Sequence, residues 1–181
     1  MMDFMLPILP EILLVVTILI TLLLLPHQRH AHFAALASVC GVGFSVASSL
    51  FTSGGLPMWV PDPLLIYGGF ILSMIAVFLI LMPADFLQRH KSHHSEFYVL
   101  ILTSLLGARI MLGADNLLLF YAGLELMSFS SYIMAGFLRD DARSSEAGLK
   151  YFVLGSLASG IFLFGISLFY GLVGSTGYAD I

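Results

Sequence analysis

Residues 63–82 read PLLIYGGFILSMIAVFLILM, a run of twenty residues without a charged side chain. A helix needs about 20 apolar residues to cross the hydrocarbon core of a bilayer. In the whole chain, 59% of the residues are hydrophobic and 10% are charged, and the mean hydropathy is +1.01. Because a soluble domain carries roughly a quarter charged residues, this chain cannot cover a water-facing surface. The sequence predicts an integral membrane protein.

Five further apolar runs of similar length flank this one, separated by short polar or proline- and glycine-rich segments. Only helices and closed barrels satisfy their backbone groups inside a bilayer, and long continuous runs do not show the alternation of barrel strands. We therefore predict an all-α fold, a polytopic transmembrane helical bundle of about six helices that forms a single membrane domain over residues 1–181. The predicted spans are 6–25, 32–52, 63–82, 96–113, 116–138 and 146–172.

The positive charges predict the orientation of the bundle. Cytoplasmic loops of membrane proteins are enriched in Lys and Arg. The loops after the first, third and fifth predicted spans hold five of the seven basic residues, and the loops after the second and fourth hold none. We expect the odd-numbered exits on the cytoplasmic side, and the N-terminus and C-terminal end on the non-cytoplasmic side. The five basic loop residues are Arg29, Arg89, Lys91, Arg139 and Arg143.

Composition excludes several function classes. The single cysteine, Cys40, rules out an intrachain disulfide and a cysteine-ligated iron–sulfur cluster. No glycine-rich nucleotide loop follows a strand, and no basic surface suits nucleic acid. Histidines cluster at two cytoplasmic exits without a fixed ligand spacing, so we predict no metal site and interpret them as solvated loop residues. These histidines are His27, His30, His32, His90, His93 and His94.

Glu125 is the clearest candidate for chemistry, because it lies near the middle of the fifth predicted span. Tyr121, Glu125, Ser128 and Tyr132 are spaced four, three and four residues apart, which places them on one helical face. Charged residues inside a membrane are costly and usually face a bundle interior or water. Desolvation favours the protonated carboxyl group and a nearby cation favours the ionised one, so a group balanced between them can exchange protons. The alternative is a structural carboxylate that joins two helices.

Two other charges lie within predicted spans. Lys150, near the start of the sixth span, follows Glu146 by four residues, the favourable order for a helical ion pair. Its position alone favours a snorkelling anchor, shallower than Glu125, over a place in a proton path. Arg109 lies a few residues before the turn at Asp115. We expect it to snorkel outward or to pair with Asp115, rather than to serve a pathway.

Several longer strings together resemble a known family. ADNLL at 114–118 runs into GLELMS at 123–128, RDD at 139–141 is followed by RSSEAGLKYF at 143–152, and LG at 154–155 leads to GSTG at 174–177. These strings strongly resemble subunit N of bacterial NADH-quinone oxidoreductase, an antiporter-like membrane subunit of respiratory complex I. The resemblance is dense from about residue 95 to 178. It is looser before that, where LPE at 9–11 and DP at 62–63 still fit.

The resemblance implies a proton-translocating subunit, driven by electron transfer from NADH to quinone, in a bacterial inner membrane. Such a subunit holds no redox centre and binds no cofactor itself. NADH, FMN, the iron–sulfur clusters and quinone belong to other subunits, and its partners are the lipid bilayer and the other membrane-arm subunits. Glu125 matches the family glutamate that pairs with a lysine and tunes it. Lys150 matches a lysine linked to the proton path.

The chain also departs from the family pattern. Arg109 stands where relatives have an apolar residue, so we expect a different environment between the fourth and fifth helices. The family is far longer, and the lysine that partners the helix-five glutamate falls past Ile181. We interpret the chain as the N-terminal part of a longer subunit, with a split subunit as the alternative. Two rival functions remain, a subunit of a multisubunit cation/proton antiporter and a non-conducting membrane scaffold for assembly.

Overall fold

The computed structural model describes residues 6–23, 31–49, 58–60, 62–82 and 94–180. Within these residues the chain forms six α-helices, numbered here in chain order. They are α1 (Leu9–Leu23), α2 (Ala31–Ser49), α3 (Pro63–Leu81), α4 (His94–Gly113), α5 (Leu117–Ala135) and α6 (Ala142–Val173), with short 3₁₀ turns at Leu6–Ile8 and Tyr178–Asp180. Each helix overlaps one predicted span, so the predicted all-α bundle of six helices is confirmed.

Local sequence signals set the ends of several helices. Pro63 occupies the first turn of α3, where its missing N–H is not needed. The Asn116 side chain accepts a hydrogen bond of 2.8 Å from Leu119 N at the start of α5. The Asp141 carboxylate accepts one from Arg143 N at the start of α6, and α6 ends at Gly174, whose φ of +76° is left-handed.

The described helices suit a bilayer by length and composition. Four of them, α3, α5, α6 and the Glu96–Gly113 part of α4, are long and apolar enough to cross a membrane. The remaining two apolar helices, Leu9–Leu23 and Ala34–Ser49, are shorter in the described part of the chain. Many large apolar side chains of α3 and α6 are exposed, as expected for surfaces that face lipid or further protein.

Helix α4 is the centre of the bundle. It packs against α1, α2, α3 and α5, while α6 packs on the outside against α5. The apolar core joins the first four helices and includes fully buried leucines of α1 and α4, Leu14 and Leu102. The helix that carries Glu125 is therefore held between the core helix α4 and the outer helix α6.

The contact between α4 and α5 is close because glycines face each other there. A Cβ added to Gly107 would lie 2.6 Å from Met127 N, and one added to Gly123 would lie 2.8 Å from Gly107 O. Small residues allow backbones in membrane bundles to approach in this way. The two helices touch backbone to backbone near the middle of α5, two residues from Glu125.

The turn between α4 and α5 is clamped on one side by the segment before α3. Val60 N donates to Gly113 O at 3.0 Å, and the ring of Trp59 covers Gly113. Trp59 is buried, and its Nε1 donates to Pro7 O at 3.1 Å, which ties in the start of the described chain.

The segment after α6 closes the other side of the same turn. Leu117 N donates to Thr176 O at 2.9 Å, and Tyr178 N donates to Asp115 O at 3.1 Å. We call residues 58–60, 113–117 and 176–178 together the rim. The start of α1, the approach to α3, the α4–α5 turn and the end of α6 thus share one end of the bundle, as the alternation of loops predicts. Which side of a membrane the rim faces stays a prediction from the basic loops.

Candidate functional site

Glu125 lies at the middle of α5, as predicted. It is the ninth residue of a nineteen-residue helix. Its Oε1 atom is buried and has no hydrogen-bond partner in the part of the chain that the structure describes. Because an unpaired carboxylate is costly in a membrane interior, this oxygen requires water or a group outside the described residues.

The face of α5 that carries Glu125 packs on α6. On the rim side of Glu125, the Tyr121 ring stacks on Phe162 with the ring centroids 6.2 Å apart. On the far side, Tyr132 meets Tyr151 edge to face at 4.8 Å, and its hydroxyl lies over Gly155. The predicted polar face is therefore a partly buried helix–helix interface, lined by two tyrosines with the carboxylate between them.

The register of these two antiparallel helices places Ser159 opposite Glu125. Glu125 is four residues after Tyr121, and Ser159 is three residues before Phe162, the partner of Tyr121. Ser159 is only 8% exposed on a helix that is otherwise mostly exposed, so it belongs to the face that meets α5. Its Oγ is also buried without a hydrogen-bond partner among the described residues. Two orphaned polar atoms thus occur at one level of the interface.

Lys150 does not meet Glu125 within the described residues. Its ammonium pairs with the Glu146 carboxylate one turn earlier on α6, and both side chains are largely exposed. Lys150 precedes Ser159 by nine residues, so it lies about 13 Å further along the helix axis. The predicted ion pair with Glu146 is confirmed, and Lys150 lies nearer than Ser159 to the α5–α6 turn. Its place in a proton path stays a prediction.

The expectation for Arg109 was wrong. Arg109 does not snorkel and does not pair with Asp115; it is 1% exposed and binds Glu11 of α1. Its Nε and Nη2 donate to Glu11 Oε1 at 3.1 and 2.9 Å. Its Nη1 lies against Gly69 of α3, where an added Cβ would come within 2.7 Å. A guanidinium cannot lose its proton in a protein, so burial requires a fixed anion, and Glu11 supplies it.

This ion pair also corrects the expected change between the fourth and fifth helices. The Arg109 side chain points toward α1 and α3, and the α4–α5 contact is formed instead by Gly107 and Gly123. Sequence reasoning missed Glu11 as a charge inside a span. Glu11 and Arg109 have opposite signs. Glu11 lies near the start of α1 and Arg109 near the end of α4, which meet at the same end of the bundle, and these features would have suggested the pair.

Metal ligands are not brought together in the described residues, where no group of three His, Cys, Asp or Glu side chains occurs. The side chains of the six histidines noted in the sequence lie outside the residues described here. Gly155 and Ser159 face α5, whereas nothing among the described residues lies near Gly160.

Comparison with known proteins agrees with this architecture. The family model described as "NADH:quinone oxidoreductase/Mrp antiporter, TM" matches residues 114–181. NADH-quinone oxidoreductase subunit N of Granulibacter bethesdensis is 39% identical over 94% of this chain and 37% of its own length. The subunit N of Erythrobacter litoralis is 39% identical over 96% of this chain and 38% of its own length. This chain thus spans somewhat more than a third of the length of each of these two relatives.

Solved structures give the same result for the fold. A chain of respiratory complex I from Thermus thermophilus, solved with bound aureothin, superposes with a TM-score of 0.77 and 28% identity over 93% of this chain and 38% of that one. A chain of an archaeal membrane-bound sulfane sulfur reductase superposes with a TM-score of 0.62 at 18% identity, covers 97% of this chain and 38% of that chain, and shares the fold. This chain is a multi-pass membrane protein that belongs to the family of NADH-quinone oxidoreductase subunit N.

Proposed function

We propose that the chain is part of a proton-translocating subunit of an NADH:quinone oxidoreductase, and that its proton path passes Glu125. The observation that carries this proposal is the environment of that side chain. Glu125 Oε1 is buried at mid-helix, between two tyrosines, without a hydrogen-bond partner in the described residues. A carboxylate that served only to join α5 to α6 would bond across that interface.

The proposed mechanism is electrostatic. In this proposal the cationic partner of Glu125 is a lysine outside the described residues, as the family resemblance implies. The ionised carboxylate stabilises the lysine ammonium when the two are close, and their separation leaves a cation in a poorly solvated place, which favours proton release. Moving one charge across 100 mV requires about 2.3 kcal/mol. A change of about two pK units, at about 1.4 kcal/mol each, has the required size.

The same proposal assigns the neighbouring subunits and the membrane in which this subunit lies. The subunit would lie in the membrane arm of the complex, beside the other membrane subunits, in the inner membrane of a bacterium. NADH oxidation and quinone reduction, with FMN and the iron–sulfur clusters, would occur in other subunits, so this subunit takes part in catalysis without a redox centre of its own. Lys150, with its exposed position beside Glu146, would serve the entrance of the path.

The test is Glu125→Gln in the complete complex, measured as NADH-driven proton uptake into sealed membrane vesicles. We expect assembly to persist and most proton translocation to be lost, because glutamine keeps the shape but cannot ionise. Glu96→Gln is the matched control, since Glu96 pairs with Arg139 at an exposed site at the end of the bundle away from the rim. Wild-type proton translocation by the Glu125 variant would refute the proposal.

The two rival functions predict different results. A cation/proton antiporter, which the matching family description also covers, would exchange protons for cations without NADH. The names of the curated relatives favour the oxidoreductase. A scaffold for assembly would tolerate Glu125→Gln, because the two side chains have nearly the same size.

A further inference from the structure

The hydroxyl of Ser159 is unusual among the buried hydroxyls of this bundle. Five of the eight buried Ser and Thr side chains in the described residues donate to a carbonyl about one turn earlier on their own helix, as Thr21 does to Thr17 O and Ser130 does to Leu126 O. That bond is the usual way to satisfy a hydroxyl inside an apolar helix. Ser159 Oγ is buried and makes neither this bond nor another within the described residues. Its donor remains available to a group in the α5–α6 interface.

Glu125 supplies the matching acceptor at the same level. The carboxylate oxygen Oε1 and the serine hydroxyl are both buried, they lie on facing helices, and they do not bond each other directly. A buried water typically makes about three hydrogen bonds to polar groups that are otherwise unsatisfied. Tyr132 places a third polar group nearby, because its hydroxyl lies over Gly155, one turn from Ser159.

We propose that Ser159 is a positioning residue for Glu125, and that the Ser159 hydroxyl and the Glu125 carboxylate hold one bridging water between α5 and α6. The water donates to Glu125 Oε1 and accepts from Ser159 Oγ. The hydroxyl thereby fixes the direction from which the carboxylate is hydrated and the side on which a proton reaches it. This inference rests on the proposed function for its consequence in pumping, but the hydrogen bond itself can be tested without it.

The experiment is redox-induced infrared difference spectroscopy of the complete complex, with the Glu125 carboxyl band assigned by its loss in Glu125→Gln. We expect Ser159→Ala to shift that band, because a carboxylate that loses a hydrogen bond changes its C–O stretching frequency. Ser159→Thr keeps the hydroxyl and should restore the wild-type band. Proton translocation by Ser159→Ala should fall by up to about tenfold, the range expected for one lost hydrogen bond.

Ser73→Ala is the matched control. Ser73 on α3 is also buried with an unpartnered hydroxyl among the described residues, but it lies away from Glu125, so its loss should leave the Glu125 band in place. An unchanged band in Ser159→Ala, or an equal shift in both variants, would overturn the proposal. If the alanine variant fails to assemble, Ser159→Cys, a weaker donor, must shift the band, and an unchanged band then refutes the proposal.

Pumping and spectroscopy separate the two proposals. If Glu125→Gln pumps normally, the proposed function fails, yet the shift of the Glu125 band in Ser159→Ala still decides the role of Ser159. If Glu125→Gln abolishes pumping and Ser159→Ala leaves the band unchanged, the proposed function stands and the positioning role is wrong.

Discussion

Two glutamates of the bundle have buried carboxylate oxygens but different surroundings. Glu11 lies near the rim, where the Arg109 guanidinium binds one of its oxygens through two nitrogens. Glu125 lies at the middle of α5, where its buried oxygen has no partner among the described residues. Glu11 has a fixed cationic partner that cannot deprotonate, although its Oε2 is also buried without a hydrogen-bond partner among the described residues, whereas Glu125 has no fixed counter-ion there. Burial alone therefore does not identify a proton site; the chemistry of the partner does.

The largest expected effect comes from breaking the ion pair between Glu11 and Arg109. Arg109→Leu leaves Glu11 buried without its cation, and removal of one partner of a buried ion pair typically costs about 3–5 kcal/mol. We expect a strong loss of thermal stability and of assembled complex in membranes, measured by melting temperature and native gel electrophoresis. The double variant Glu11→Leu with Arg109→Leu should recover most of the loss. Equal instability of the single and double variants would show that the pair acts through packing rather than charge.

A smaller effect should follow from adding a methyl group to the α5–α6 interface near Glu125. Gly155→Ala places a methyl group where the Tyr132 hydroxyl lies, and an extra methyl in a packed interface typically costs about 1–3 kcal/mol. We expect α6 to shift away from α5, with lower stability and lower proton translocation in vesicles. Gly160→Ala is the control on the same helix, since its added Cβ meets nothing in the described residues. Similar losses in the two variants would contradict the assigned interface.

The smallest effect on stability should come from the exposed pair. Lys150→Gln removes an ion pair between adjacent turns of α6 whose side chains are mostly exposed, and such pairs contribute about 0.3–0.5 kcal/mol. We expect an almost unchanged melting temperature but reduced proton translocation if the lysine lies in the path, with less reduction for Glu146→Gln. Equal reductions would mean that the pair matters and the lysine charge does not.

The bundle could be predicted from sequence because the signals are local. Each helix is one apolar run, and residues such as Pro63, Asn116 and Gly174 mark helix ends within a turn. Glu125 could be chosen for the same reason, since a charge in the middle of a span is visible without knowledge of its neighbours. The faces of α5 also follow from spacing, and the structure packs the tyrosine face on α6 as that spacing predicts.

What could not be predicted depends on pairs that are distant in the chain. Glu11 and Arg109 are 98 residues apart, and no periodicity relates them. Asp115 was the wrong partner for Arg109 because nearness in sequence suggested it, whereas the helix directs the side chain to the opposite face. Ser159 could not be assigned to the site from sequence, since its unused hydroxyl becomes evident only when the register of α5 on α6 is known.

The backbone contact between α4 and α5 fixes the position of the Glu125 carboxylate along the bundle. Backbone touches backbone at Gly107 and Gly123, and the start of α5 is bonded into the rim through Leu117. Glu125 is two residues from that contact, or about 3 Å along the axis, whereas Ala135 is about 18 Å from it. Tilting α5 would swing its far end widely and leave Glu125 almost in place. If the proposed pumping function holds, Glu125 stays in place during the cycle and its partner groups move toward it and away from it.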